Sequence, residues 1–279
     1  MNGQCLISAV LVTYNRPFSV LMRSLNSILN QTYKNIQITI VDISTDRNVS
    51  HQITEYISSL NKTDLQLILL PGVQNNRARN IGFKASKGNY IAFLDDDDEW
   101  ASDKLEKQLK LFEEGVSIVY SNYYTIDDNN NKNAFFQDIP DNNNLKSKIL
   151  GENVIGCTSM PLISSRAFIE AGGFDETLRA NQDWDLWIRI LQDNDAIYSP
   201  VIAGIKHNSK NSISNNKYRR ATGWIGLLIK HSGKYQRNRE QLTKATGFFA
   251  GEMLSKKMYL TGTAALVFHF LLRGTGLKK

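Results

Sequence analysis

The sequence predicts an α/β fold in which a mostly parallel sheet is flanked by helices. From the N-terminus to about residue 127, short apolar runs alternate with segments whose apolar residues recur at helical spacing. The short runs are almost continuously apolar, which is typical of parallel strands buried on both faces. Strands that alternate with helices build right-handed βαβ units and therefore a Rossmann-like sheet.

The pattern predicts five strands and four helices in this region, and each follows from its residues. The run LISAVLVT is β-branched and apolar and stops at Asn15 and Pro17, so it is a buried strand that ends in a turn. The segment after it repeats Leu21, Leu25 and Ile28 at helical spacing. The other strands are expected at 36–44, 65–72, 90–95 and 116–127, and the other helices at 50–61, 75–88 and 102–115. The Asn-rich stretch 127–144 is expected to be a mobile loop.

Composition excludes several classes of protein. With 42% hydrophobic and 22% charged residues over 279 positions, the chain is globular. Two cysteines, Cys5 and Cys157, without C-x-x-C spacing argue against a disulfide framework or a zinc site and fit a reducing compartment. The N-terminal segment lacks a basic region before a short apolar run, so we expect no signal peptide and a cytoplasmic protein.

The stretch YIAFLDDDDEW places Asp95 to Asp98 directly after a buried strand. In open parallel sheets, ligands bind beyond the carboxyl ends of the strands, where Asp42 and Asp127 are also expected. Each pair of like charges at about 4 Å costs ~4 kcal/mol at an effective dielectric near 20, a repulsion that a cation would relieve. Oxygen ligands favour Mg²⁺ or Mn²⁺. The alternative interpretation is a solvated acidic loop that also caps the next helix.

Other acidic and phosphate motifs fit less well. Counted from Asp95, the sixth residue is Trp100, whereas an EF-hand loop needs glycine there. The run also satisfies D-D-x-x-E, the pattern of the all-helical prenyl-diphosphate enzymes, but here a strand precedes it. No G-x-x-x-x-G-K-[ST] phosphate loop occurs.

An ordered set of motifs resembles the family 2 glycosyltransferases of the GT-A fold. The match spans about residues 6–215, and its motifs are VTYNRP (12–17), VDISTD (41–46), ARNIG (78–82), YIAFLDDDDEW (90–100), GGFDE (172–176) and QDWDLWIRI (182–190). The resemblance implies an inverting transfer of a sugar from a nucleotide-sugar, UDP by family frequency, to an acceptor hydroxyl, with Mn²⁺ or Mg²⁺ as cofactor.

The resemblance also implies roles for individual residues. Asp183 matches the catalytic base of the family, while Asp97, with His207, would hold the metal. The nucleotide-sugar would be bound by Thr13, Tyr14, Asn15, Arg16, Asp42, Arg79, Asn80, Asp95 and Asp96. The chain departs from the family pattern at VDISTD, which is shorter than the usual V-D-D-G-S-x-D, and at Gln182, where glutamate is common.

Each of these residues also has a purely structural interpretation. Asp183 could be an acid at a helix N-terminus, favoured by the helix dipole. A lone histidine such as His207 is more often a surface or packing residue. Trp184 could stack on a sugar, whereas Trp187 is expected in the core.

A basic helical extension is expected to follow the catalytic domain. We predict a catalytic domain over 1–215 and the extension over 216–279, because from Val201 onward 15 Lys and Arg stand against two acids. The stretch 258–272 is shorter than the ~20 apolar residues of a membrane span. The stretches GFFAGEMLSKKMYL (247–260) and FHFLLRGTGLKK (268–279) mix aromatic residues with Lys and Arg, which is typical of a helix at an anionic membrane surface, here the cytoplasmic face of the inner membrane. Packing on the catalytic domain and an oligomer contact are the alternatives, and nothing resembles a nucleic-acid-reading motif.

The sequence thus predicts a metal-dependent glycosyltransferase that builds a bacterial surface glycan, such as O-antigen or capsule, on a glycan or lipid-linked acceptor. The alternatives are a non-catalytic sugar-nucleotide-binding relative, a nucleotidyltransferase on a similar fold, and a prenyl-diphosphate enzyme.

Overall fold

The computed structural model describes residues 5–135, 144–208 and 216–274. Within these ranges a seven-stranded sheet is flanked by helices, which confirms the predicted α/β fold class and rules out an all-helical enzyme. The strands are β1 (Ile7–Thr13), β2 (Ile36–Asp42), β3 (Leu65–Leu69), β4 (Tyr90–Asp95), β5 (Glu99–Trp100), β6 (Val116–Ser121), β7 (Tyr123–Asp127), β8 (Lys132–Phe135), β9 (Leu162–Ser164), β10 (Asp195–Ser199) and β11 (Gly204–Asn208). The helices are α1 (Phe18–Leu29), α2 (Arg47–Ser59), α3 (Asn75–Lys84), α4 (Lys104–Leu109), α5 (Leu145–Gly151), α6 (Ser165–Glu170), α7 (Gln182–Ile190), α8 (Lys217–Lys230), α9 (Ser232–Arg237), α10 (Arg239–Ser255) and α11 (Tyr259–Gly274).

The large sheet has the strand order β10-β6-β9-β4-β1-β2-β3. Strands β3, β2, β1 and β4 are parallel, whereas the short β9 runs antiparallel to both β4 and β6. The register pairs Thr13 with Asp42 and Val12 with Asp95. The carboxyl ends of β1, β2 and β4 therefore meet at one edge, as expected for a ligand-binding edge.

Both faces of the sheet are covered. Along β1, Val10 and Val12 join one apolar cluster while Ala9 and Leu11 join another on the opposite face. This alternation explains why the strands read as continuous apolar runs, since neither face meets water.

A second sheet, of order β5-β11-β7-β8, lies beside the large one. The single strand predicted over 116–127 is therefore wrong: it breaks at the buried Asn122, whose side chain donates to the hydroxyl of Tyr198 at 2.8 Å. Residues after Asn122 join the second sheet. Asp127 accepts bonds from the backbone N–H groups of Asn129 and Asn131 in the turn to β8, so it does not join the other acids.

Two further predictions about local structure need correction. Part of the expected loop 127–144 is strand β8, which pairs antiparallel with β7 across a turn where Asn130 is left-handed; residues 136–143 lie outside the described residues. The helix predicted over 102–115 ends at Leu109. Beyond it, Phe112 turns to pack on Tyr90, with ring centroids 4.3 Å apart, and Gly115 is left-handed.

The C-terminal helices α8 to α11 share the apolar cluster of the sheet. Trp224, Tyr235, Phe249 and Met253 are buried in it, and the Tyr235 hydroxyl donates to the carbonyl of Leu150 at 2.7 Å. Among the described residues, no helix combines the length and the apolar character that a membrane span requires.

Candidate active site

The turn after β1 is bonded to the aspartate run. The backbone N–H of Tyr14 donates to Asp96 at 3.1 Å, and the guanidinium of Arg16 donates to Asp96 at 2.6 Å and to Asp97 at 3.0 Å. Asn15 has a left-handed backbone, for which asparagine is suited, and its carboxamide accepts from the backbone of Thr45 at 2.9 Å. The conformation of the turn is thereby fixed to β2 and β4 together.

The four aspartates have four different environments. Asp95 accepts from Arg79 at 2.5 Å, and Asp96 is held by the β1 turn as described. Asp98 is fully buried and accepts from the Ser159 hydroxyl at 2.6 Å and from a backbone N–H of β11 at 3.1 Å. Asp97 lines the cavity together with Asp95 and Asp96, and its side chain is 21% exposed.

The pKa values of neighbouring aspartates in the run are shifted in opposite directions. Burial opposes ionisation of Asp95, but Arg79, Lys206 and Arg16 outweigh it and hold its pKa below the ordinary value. Burial and the charges of Asp98 and Asp95 raise the pKa of Asp97 to about 7. Negative charge is therefore in excess at Asp97, the place where a bound cation would relieve it.

Lys206 adds a further cation near the aspartates and lines the same cavity. It lies on β11, directly before His207, and the charges of Asp98, Cys157 and Asp95 raise its pKa despite its burial. The imidazole Nε2 of His207 lies 2.7 Å from the Glu99 carboxylate. A carboxylate that fixes one ring nitrogen leaves the other, Nδ1, as the candidate metal ligand.

Asp183 lies in the first turn of α7 and lines the same cavity as Asp95, Asp96 and Asp97. It accepts from the backbone N–H of Trp184 at 2.7 Å. Burial raises the pKa of Asp183, an effect that this bond and nearby cations reduce but do not cancel. A raised pKa brings a carboxylate closer to the range in which it acts as a general base near neutral pH.

The C-terminal helices hold the loop before Asp183. Arg220 of α8 donates to the Asn181 carboxamide at 2.8 Å and forms an ion pair with Glu252 of α10 at 2.6 Å. Asn181 is left-handed, so it directs the chain sharply into α7. A Cβ on Gly223 of α8 would stand 2.6 Å from Ala180, so helix and loop are in direct contact.

Two adjoining cavities contain most of the predicted site. The first, of about 470 Å³, is lined by Thr13 to Arg16, Arg79, Asp95 to Asp97, Asp183 and His207, all of them predicted from the sequence. The second, of about 780 Å³, shares Tyr14, Asn75, Arg179 and Gln182 with the first.

Asp42 and Asn80 line neither cavity. Asp42 ends β2, is buried, and accepts from the backbone of Ser44 at 2.9 Å. Asn80 donates to Phe174 and Glu176 and accepts from Phe174, so it holds the turn at 173–176. Of the tryptophans, Trp187 is fully buried as expected, and Trp184 is also buried, with its indole N–H on a backbone carbonyl.

Sequence reasoning missed Lys206, Arg179 and Arg220, which also line the first cavity. Lys206 had one usable signal, since it precedes a histidine already chosen for its position. Arg220 had none, because its partners Asn181 and Glu252 are 39 and 32 residues away in the chain.

Comparison with known proteins identifies the family. The model of glycosyl transferase family 2 matches residues 8–173. This chain is a family 2 glycosyltransferase. The UDP-Glc:alpha-D-GlcNAc-diphosphoundecaprenol beta-1,3-glucosyltransferase WfgD of Escherichia coli is 30% identical over 220 residues, which cover 77% of this chain and 81% of that protein.

Solved glycosyltransferase structures share the fold. S. aureus TarS 1–349 in complex with UDP-GlcNAc superposes with a TM-score of 0.65 at 17% identity, over 96% of this chain and 81% of that one. The mannosyltransferase PcManGT from Pyrobaculum calidifontis, in complex with GDP-Man and Mn²⁺, gives 0.64 at 17% identity, over 98% and 83%. At these identities the likeness establishes the GT-A fold.

The residues fit a divalent metal shared with a diphosphate. Among the described residues, no group of three His, Cys, Asp or Glu side chains could hold a metal by itself. Mg²⁺ bound with a substrate diphosphate needs only one or two protein carboxylates. Asp97 fits that need, since it lines the cavity and has the carboxylates of Asp98 and Asp95 near it, whose negative charges a cation would offset.

Proposed function

We propose that this glycosyltransferase moves a sugar from a nucleoside-diphosphate sugar, UDP-linked in the first instance, to a hydroxyl of a glycan or lipid-linked acceptor, with inversion at the anomeric carbon. One observation carries the proposal: Asp95 to Asp97 and Asp183 line one cavity of about 470 Å³. A donor held at Asp95 to Asp97 would thus have a carboxylate within the same enclosure to activate an incoming hydroxyl.

The donor end of the cavity is proposed to bind the nucleotide diphosphate. Asp97, with His207, would hold Mn²⁺ or Mg²⁺, which stabilises the negative charge of a leaving diphosphate. Thr13 to Arg16, Arg79, Asp95 and Asp96 would position the nucleotide. Asp42 and Asn80 would act indirectly, by holding neighbouring backbone in place. Asp42 supports the edge of the sheet at the end of β2, and Asn80 holds the turn at 173–176.

Asp183 is proposed as the general base. In its ionised form it takes the proton of the acceptor hydroxyl as the oxygen attacks the anomeric carbon. The new carbon–oxygen bond forms while the bond to the diphosphate oxygen breaks on the opposite face, so a single displacement inverts the centre. The raised pKa of Asp183 suits this role, because the carboxylate is a stronger base than an exposed aspartate.

The biological setting rests on the relatives. WfgD is named for transfer to GlcNAc-diphosphoundecaprenol, and another relative, 31% identical over 196 residues, is the amylovoran biosynthesis glycosyltransferase AmsB of Erwinia amylovora. By this analogy the chain acts in bacterial surface polysaccharide synthesis, in the cytoplasm and at the cytoplasmic face of the inner membrane. The catalytic domain is proposed as 1–215 and the membrane-facing extension as 216–279, with exposed Tyr259, Leu260 and Phe268 on α11 as its apolar contacts.

Thermal unfolding with UDP, dTDP, GDP and CDP, each with and without Mn²⁺, tests the donor site. A ligand at 100 times its Kd stabilises a protein by ~2.7 kcal/mol, so one nucleotide should shift the transition strongly and only with metal. Asp97→Ala should abolish this shift, whereas Asp193→Ala, which removes an exposed aspartate outside both cavities, should keep it. A shift that survives Asp97→Ala contradicts the proposed metal–diphosphate site.

A further inference from the structure

The side-chain amide of Asn181 is buried and has no hydrogen-bond acceptor among the described residues. Asn181 is 6% exposed and lines the first cavity, and no atom of the described chain accepts from its Nδ2. Buried polar groups in folded proteins nearly always have a partner, because a buried donor left unpaired destabilises the folded state. An unpaired donor at the wall of a ligand cavity therefore indicates a contact that the ligand completes.

The orientation of this carboxamide is fixed by the C-terminal helices. Arg220 donates from Nη1 to the Oδ1 atom of Asn181 at 2.8 Å, and Glu252 holds the same guanidinium through two bonds of 2.6 Å. The indole N–H of Trp224 donates to that carboxylate at 2.7 Å. A guanidinium can only donate, so it must meet the oxygen of the carboxamide. The N–H₂ group of Asn181 is thereby directed to the other side, away from Arg220.

The side chain of Asn181 does not serve the helix that it precedes. Asn181 is the N-cap residue of α7, a position where an asparagine side chain usually accepts from the first turn, but here it makes no capping bond. Its backbone is left-handed, a conformation that glycine adopts at least as readily. Neither capping nor backbone geometry explains why this position carries a side chain with a free donor.

The proposed reaction places the transferred sugar beside Asn181. In an inverting displacement, the sugar lies between the leaving diphosphate and the base. Asp97 at the diphosphate end and Asp183 at the base end line the same cavity as Asn181, which precedes the base by two residues. Asn181 does not line the second cavity. The ligand that shares the cavity with the free amide is therefore the donor, and its sugar is the part that extends toward Asp183.

We propose that the Nδ2 group of Asn181 donates a hydrogen bond to an oxygen of the transferred sugar, and that this contact selects which sugar the enzyme transfers. The partner is a hydroxyl or an acetamido carbonyl, because the amide N–H₂ group can only donate. A sugar with no oxygen at that place leaves the amide unpaired and is rejected. Arg220 is the positioning residue of this contact. The inference deepens the proposed function and rests on it, since it assumes that the donor occupies the first cavity.

The test compares UDP with UDP-glucose, UDP-galactose and UDP-N-acetylglucosamine, each titrated calorimetrically into the whole chain with saturating Mn²⁺. Asn181→Gly removes the amide and keeps a left-handed backbone accessible. It should weaken the binding of at least one of the UDP-sugars by about tenfold, the value of one hydrogen bond, and leave the binding of UDP unchanged.

Two further variants separate the contact from a structural effect. Asn181→Asp retains the bond from Arg220 and puts an oxygen in place of the N–H₂ group, so it should fold and should weaken the same UDP-sugar at least as strongly. Asn61→Gly is the matched control, because Asn61 is also left-handed but is exposed at the end of α2 and outside both cavities. It should bind every ligand as wild type does.

The possible results lead to different conclusions. A loss that is larger for a UDP-sugar than for UDP supports the contact, and a loss of equal size for all three sugars overturns its role in selection. A loss that is the same for UDP and every UDP-sugar, or no loss at all, overturns the inference while the donor site stands. If UDP with Mn²⁺ does not bind to wild type, the donor site of the proposed function fails, and the sugar contact fails with it.

Discussion

Replacement of Gly223 by alanine tests whether the C-terminal helices position the proposed base. Gly223 lies on α8 against the loop that leads into α7. A Cβ there would stand 2.6 Å from the Cβ of Ala180 and 2.8 Å from its carbonyl oxygen. Backbone atoms cannot yield as a flexible side chain can, so either α8 or the loop must move.

Two opposing effects set the magnitude. Alanine is favoured over glycine inside a helix by about 1 kcal/mol, whereas overpacking of a close contact costs about 1–3 kcal/mol. Gly223→Ala should therefore be neutral or destabilised by up to about 2 kcal/mol. Gly251→Ala on α10 is the matched control, because a Cβ there meets nothing within 4 Å, and it should gain about 1 kcal/mol.

The larger effect is expected on turnover. A displacement of about 1 Å in a catalytic group can lower the rate about 100-fold, and Asp183 is three residues from Ala180. The assay measures release of nucleotide diphosphate and, separately, affinity for UDP. Gly223→Ala should lose between tenfold and 100-fold in kcat with UDP affinity retained, since the aspartate run begins at the end of β4, away from α8 and the loop before α7. Turnover and stability equal to those of Gly251→Ala would refute the view that α8 positions this loop.

Three predictions concern titrating groups. Lys104 is fully buried, has no hydrogen-bond partner among the described residues, and lies with its ammonium 4.4 Å from the Trp100 ring; burial lowers its pKa to about 7. The unfolded chain thus binds more protons than the folded one between pH 7 and about 10.5, so the stability of the protein rises with pH in that range. Lys104→Met should therefore be more stable than wild type by a few kcal/mol at pH 7. Chemical denaturation should show that this gain vanishes near pH 10. Burial opposes ionisation of Asp185, but His231 and Arg189 outweigh it and lower the pKa of this carboxyl. The ionised carboxylate therefore stabilises the folded protein above about pH 4, and this contribution is lost as the pH falls below that value. Asp185→Asn should cost about 3–5 kcal/mol of stability at pH 7 and should approach the stability of wild type in acid. For the proposed base, kcat/KM should rise with pH through a midpoint above the ordinary aspartate value of about 3.9, because burial raises the pKa of Asp183; a profile flat down to pH 4 would contradict the assignment.

The hydrophobic pattern of the sequence predicted those strands and helices whose formation depends on residues close together in the chain. Strands β1, β2 and β4 were predictable because each is buried on both faces, and their shared edge then followed from the parallel topology. The position of that edge was enough to predict that Thr13 to Arg16 lie close to Asp95 to Asp97, although no contact between them could be read from the sequence. Strand β5 has only two residues and forms because β11 pairs with it, so no local signal announced it.

The remainder of the site depends on contacts distant in the sequence. Asp98 is buried because it accepts from β11, 109 residues later, and Arg220 reaches Asn181 from α8. For Asn80 and Asp183, the motif predicted part of the role, and the contacts in three dimensions determined the rest. The motif of Asn80 suggested a place near the nucleotide, whereas its hydrogen bonds to the turn at 173–176 are visible only in three dimensions. The motif of Asp183 gave its identity, but its burial and raised pKa come from the packing around it.

Donor affinity and turnover, both measured for Asp183→Asn, decide whether Asp183 is the general base. The change removes a carboxylate whose burial disfavours its charged form, so the variant should be folded and at least as stable as wild type at neutral pH. We predict that it binds the nucleotide with Mn²⁺ as wild type does and loses transfer by about 100-fold to 10,000-fold, the usual contribution of a general base. Transfer at the wild-type rate with normal donor affinity would show that Asp183 is not the base.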